Sequence, residues 1–178
     1  IQILSGMFLT MYYVPDVENA WKSVYYLQNE VAFGELVRGM HHWGASLVIV
    51  MMLLQTWRVF FTGSYEKARE LNWMVGVGLF GVMMGLGFTG YLLPWDMKAL
   101  FATKVGIEIA ASVPFLGEYI KILLAGDSAI LGAQTLTRFF AIHVFFLPAA
   151  LFALLAAHFI MIRKQGISGP LWFNLTFE

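Results

Sequence analysis

Four histidines and one glutamine are the side chains here best suited to holding a metal-bearing group. His41 and His42 open an apolar run bracketed by Arg38 and Arg58, and Gln55 lies near its end. His143 and His158 stand near the start and the end of another such run, between Arg138 and Arg163. Imidazole is a common ligand for transition metals. A polar side chain inside a lipid-facing run is costly and normally has a partner. Two readings are open for such a histidine. It bonds to a neighbouring helix or lies near the headgroups, or it ligates a metal.

Spacing favours ligation. Position 55 lies fourteen residues after His41. That is nearly four whole helical turns and about 21 Å, so both positions share one face. His143 and His158 are fifteen apart, which on an ideal helix adds a rotation of about 100°. Pro148, or a π turn, is able to absorb the extra residue. One span separates the two runs, so they lie parallel. They then offer facing pairs at two depths, 41 with 143 and 55 with 158. Bis-histidine ligation of two stacked haems in a four-helix bundle has this form. Gly76 and Gly90 repeat the fourteen-residue step on the intervening span, and Gly6 lies on the opening segment. Glycine lets a group approach a helix backbone closely, although small residues also serve ordinary helix packing in membranes.

The elements that carry these residues follow from hydropathy. Of the 178 residues, 60% are hydrophobic and only 12% charged, which excludes an ordinary soluble domain. Formal net charge is zero, which gives no sign of a nucleic-acid partner. There is no cysteine, so disulfides, thiolate metal sites and haem attachment through cysteine are excluded within these residues. Three runs, 38–58, 71–95 and 138–163, each have roughly the 20 residues needed to span about 30 Å of hydrocarbon. The opening IQILSGMFLTMYYVP reads as the tail of a fourth span that begins upstream. Trp43, Trp57, Trp73 and Trp95 near the span ends suit interfacial belts. Pro94-Trp95-Asp96 closes the 71–95 run.

The connections differ. GSYEKARELN is a short polar loop. The stretch from Asp96 to Thr137 reads as two short amphipathic helices at the surface, broken near Pro114. VPDVENAWKSVYYLQNEVAFGE looks similar. Arg58, Lys67, Arg69, Arg163 and Lys164 stand against Glu66 and Glu70 in the 58–70 loop and at the end of the last span, on one side of the membrane. The positive-inside rule puts that side in the cytoplasm or its equivalent.

RGMHHWGAS, the fourteen-residue step, GYLLPWD, TLTRFFAIH and HFIMIRKQGISGP together closely resemble cytochrome b of the quinol-oxidising cytochrome bc complexes. The resemblance covers essentially the whole chain. PWD, the fifteen-residue histidine step and the RKQGISGP ending look more like the b6 branch, in which the C-terminal half is a separate subunit. It implies an all-α membrane protein, with residues 1–178 forming the N-terminal four-helix haem-binding domain. By resemblance, His41 and His143 ligate an outer, low-potential haem b and His158 an inner, high-potential one. Arg38, Arg138 and Arg58 match basic residues near the haem propionates, though arginines at an interface also snorkel without any such role. Gly6, Gly76 and Gly90 match the small residues that leave room for the haem faces. Phe101 and Val105 match the surface helix lining the outer quinol pocket, and Lys164 lies where the inner quinone site would be.

Position 55 departs from the family, which has histidine where this chain has Gln55. Three outcomes are open: an inner haem held by His158 alone, one held weakly by Gln55 or water beside His158, or an inner haem missing or differently attached. The expectation is a retained haem with His158 as its one strong ligand and Gln55 a weak or absent one.

The resemblance further implies quinol oxidation at the outer face. One electron leaves toward a Rieske iron–sulfur protein and the other crosses inward through two haems to a quinone. Expected partners are a C-terminal cytochrome b half or subunit IV-like protein, the Rieske protein, a cytochrome c-type subunit and the lipid of an energy-transducing membrane, in a dimeric complex. The alternative is a haem b membrane anchor of a quinone-linked dehydrogenase, without a Rieske partner. A third is a haem-free structural or transport subunit whose histidines only bridge helices. The long amphipathic stretch after PWD favours the bc-type reading.

Overall fold

In a computed structural model, residues 1–66, 69–126 and 131–167 are described, and among them there is helix and no strand. In order these are α1 (Gln2–Thr10), α2 (Ala20–Asn29), α3 (Gly34–Phe61), α4 (Glu70–Leu92), α5 (Met97–Ala111), α6 (Gly117–Ala125) and α7 (Ala133–Ala141). A π turn over Ile142–Phe146 then leads into α8 (Leu147–Gln165). Lys67, and the end of RKQGISGP from Ser168 onward, lie outside the described residues.

Three helices are long and apolar enough to cross a membrane: α3 with 28 residues, α4 with 23, and the continuous stretch Ala133–Gln165 with 33. At 1.5 Å per residue even α4 reaches about 35 Å, enough for the hydrocarbon core. α3 begins four residues before Arg38 and ends three after Arg58, the last span begins five before Arg138 and ends two after Arg163, and α4 stops at Leu92, three residues short of Trp95. Polar residues at the ends keep helical geometry where the membrane interface begins. The protein is a helical integral membrane protein.

Helices α1 and α4 pack on α3, while α8 packs mainly on α4. α1 and α3 are further tied by the Gln2 side-chain amide, which donates to the His41 carbonyl at 2.9 Å. At one end α2, α5 and α6 gather. There Leu92, Ile107, Ala125 and Phe139 form a buried cluster. Residues 97–125 form two short helices around Pro114, as their mixed composition predicts.

Local chemistry explains the corners. Proline at 94 cannot continue α4, and the Asp96 carboxylate caps α5 by accepting from the Ala99 amide at 2.8 Å. Between them Trp95 takes a left-handed φ of 53°, which costs a non-glycine residue about 1–2 kcal/mol. The Tyr13 hydroxyl, just past α1, donates to the Leu93 carbonyl at 2.6 Å and pins the same corner. At the other end an Arg69 guanidinium nitrogen donates to the Ile167 carbonyl at 3.3 Å, linking the start of α4 to the end of α8.

Candidate functional site

The two helices expected to face each other do so through His41 on α3 and His143 in the π turn. Their ring centroids are 6.4 Å apart, with the planes 77° from parallel. Two imidazoles bonded to one metal at about 2 Å each, if they approached it from opposite sides, would hold their centroids roughly 6–6.5 Å apart. Both rings are partly buried within the bundle.

Each ring lies against a glycine. A methyl group added at Gly6 on α1 would stand 3.2 Å from His41 Cε1. One added at Gly90 on α4 would stand 2.6 Å from His143 Cε1 and 3.2 Å from both ring nitrogens. No real Cβ fits at that distance, so Gly90 is there because the imidazole lies on the backbone. Together α1, α3, α4 and the π turn bring four helical segments to one place.

Each ring also meets a hydroxyl that the sequence reading passed over. His41 Nδ1 is 2.9 Å from Ser5 Oγ, and His143 Nδ1 is 3.0 Å from Thr89 Oγ1. Ser5 and Thr89 are 7% and 5% exposed, so neither hydroxyl is a surface accident. Serine and threonine are ordinary in membrane helices, which hid them. The usable signal was position: each directly precedes one of the glycines, as Ser5-Gly6 and Thr89-Gly90.

The second depth is less complete. His158 on α8 lies over Gly76 of α4, where an added methyl would stand 3.8 Å from its Cε1. The π turn supplies the extra residue of the fifteen-residue step, so His143 and His158 both face α4. His158 Nδ1 is buried without a hydrogen-bond partner among the described residues. Gln55 is exposed on α3, and its carboxamide oxygen accepts from Arg58 Nε at 3.3 Å. Gln55 is therefore engaged on its own helix, and of the two residues expected at this depth only His158 carries an imidazole.

The remaining expected residues scatter around this axis. Arg38 donates to the Gln28 side chain on α2. Arg138 donates to the Leu123 carbonyl at 2.8 Å, closing the end of α6. Lys164 is exposed at the end of α8. Phe101 and Val105 lie one turn apart on α5, 61% and 58% exposed, while Ala99, Thr103 and Ile107 bury the opposite face. His42 points away from the pair, exposed and edge-on to Trp43 at 5.6 Å.

The donor set fits the group expected from the sequence at the outer depth: two facing imidazoles, each over a glycine cradle that a methyl group would fill. At the inner depth His158 and Gly76 fit and Gln55 does not.

Comparison with known proteins gives consistent results. The family described as Cytochrome b/b6/petB matches residues 1–166. A menaquinol:cytochrome c reductase cytochrome b subunit of Bacillus subtilis is 80% identical over 171 residues, which is 96% of this chain and 76% of that protein. A cytochrome b6 of Synechocystis sp. is 47% identical over the same length, 77% of that protein. A solved structure titled hyperthermophilic respiratory Complex III superposes with a TM-score of 0.85 at 31% identity. The match covers 95% of this chain and 45% of that one.

Proposed function

Since this chain belongs to the cytochrome b/b6 family, whose members bind haem b, we propose that it carries two haems at the depths marked by its histidines. It serves as the membrane cytochrome b subunit of a quinol:cytochrome c oxidoreductase. The 80% identity to a menaquinol:cytochrome c reductase subunit supports menaquinol as the reductant and cytochrome c as the acceptor. A Rieske iron–sulfur protein, a cytochrome c-type subunit, a C-terminal cytochrome b half or subunit IV-like protein, and a dimeric assembly go with that reading.

The observation that carries it is the His41–His143 pair. Helix α3 and the π turn before α8 hold the rings at 6.4 Å, and α1 and α4 present glycines beneath them. Haem iron, when bound, supplies reversible one-electron exchange. The chain's own part is placement. His41 and His143 would hold the outer haem as its two strong imidazole donors. His158 supplies one at the inner depth, where Gln55 contributes at most a weak oxygen. Gly6, Gly76 and Gly90 leave the haem faces clear of Cβ atoms. Arg38, Arg138 and Arg58 stand at the bundle ends where propionates would need positive charge. With the loop between α3 and α4 on the cytoplasmic side, α5 lies outside, and its exposed Phe101 and Val105 line the quinol pocket. Lys164 lies toward the inner quinone.

Replacing His143 by alanine tests this reading. The purified complex should lose its low-spin outer haem signal while keeping the signal that depends on His158. Retention of a full low-spin outer signal would refute the pairing, and absence of haem in the unaltered protein would favour a purely structural role for the histidines.

A further inference from the structure

Ser5 and Thr89 do more than fill space beside the histidines. A hydroxyl has one proton and two lone pairs. Ser5 Oγ lies 2.9 Å from the Ile1 carbonyl, and Thr89 Oγ1 lies 2.8 Å from the Gly85 carbonyl. Each is the carbonyl four residues earlier on its own helix, and a carbonyl only accepts. A mid-helix hydroxyl characteristically donates to this carbonyl of its own helix, and we assign the proton of each there. With the proton on that carbonyl, what faces the histidine is a lone pair, and Nδ1–H is then the donor to it.

A neutral imidazole with its proton on Nδ1 has its free lone pair on Nε2. The opposite arrangement, with the hydroxyl donating to Nδ1, would put the proton on Nε2 and leave that nitrogen unable to bind a metal. The same device occurs twice, on α1 and on α4, each time as a hydroxyl residue directly before the glycine under the ring. The inner histidine gives the contrast. Gly76 under His158 is preceded by Val75, and His158 Nδ1 is buried with no partner among the described residues.

Resting on the haem-ligand reading above, we propose that Ser5 and Thr89 are positioning residues. They hold His41 and His143 in the tautomer that presents Nε2, and their lone pairs make both imidazoles more electron-rich donors. A partner accepting from the distal N–H of a ligating histidine raises its basicity. A more basic axial ligand favours the oxidised metal. Removing the acceptor should therefore move the midpoint potential of the outer centre in the positive direction.

The test is a redox titration with electron paramagnetic resonance on the purified, haem-loaded complex, unaltered and carrying Thr89→Val, Thr89→Ser or Ser5→Ala. Thr89→Val keeps the volume and removes the hydroxyl. It should retain low-spin haem with a more positive midpoint and altered g-values. Ser5→Ala should shift the same centre the same way, and Thr89→Ser should restore the unaltered values. Loss of the outer haem in Thr89→Val that Thr89→Ser restores would also support the role. A Thr89→Val protein with unaltered midpoint and g-values would overturn it, as would a defect that Thr89→Ser fails to restore. The His143→Ala variant keeps the two ideas apart. If that variant retains its low-spin signal, the ligand reading fails whatever the hydroxyl variants do. If it loses the signal and the hydroxyl variants change nothing, only the positioning role fails.

Discussion

At the scale of the residue, identity matters most where the backbone meets a ring. Gly90 cannot accept a side chain without displacing His143, because the added methyl would stand 2.6 Å from Cε1. Gly81, on the same helix, has nothing within 4 Å of such a methyl. Gly90→Ala should therefore abolish or severely weaken the outer haem signal. Gly81→Ala should leave it intact and, since alanine is the better helix former by about 1 kcal/mol, should not lower stability. Haem spectra and thermal unfolding of the two variants decide it. Equal behaviour would mean that glycine on α4 serves general packing. The histidines were legible from sequence because a costly polar group in an apolar run stands out. Ser5 and Thr89 were not, because a hydroxyl can satisfy itself on its own helix and so gives no hydropathic signal. Their role depends on a neighbouring helix.

At the scale of the element, the spans were readable because lipid imposes length and apolarity at once, and the surface helices were readable from their mixed composition. Side-chain partners at the ends were not. Arg38 meets Gln28, and Arg138 meets the last carbonyls of α6. Those partners come from the connecting segments, whose docking no periodicity encodes. The π turn is the element that reconciles fifteen residues with one helix face. Removing one residue inside it, Phe145, should convert the turn to regular α-helix without rotating α8 relative to α4. That deletion is expected to retain both histidine-dependent haem signals and the thermal stability of the complex. Loss of the signal carried by His158 after the deletion would show that the π turn does not set the register between the two depths.

At the scale of the whole molecule, four helical segments converge on the outer pair, while among the described residues α4 and α8 are the two that meet at His158. Exposed apolar faces on α3, α4 and α8 suit lipid and neighbouring subunits. The central claim is that the outer depth holds a symmetric imidazole pair and the inner depth a single strong ligand. Electron paramagnetic resonance of the unaltered purified complex, beside a Gln55→His variant, tests this most directly. The unaltered protein should give one low-spin bis-histidine haem and one haem with high-spin character. Gln55→His should convert the second to low spin, because an imidazole would then stand on the His41 face of α3 at the depth of His158. Two low-spin haems in the unaltered protein, or no low-spin haem at all, would contradict it.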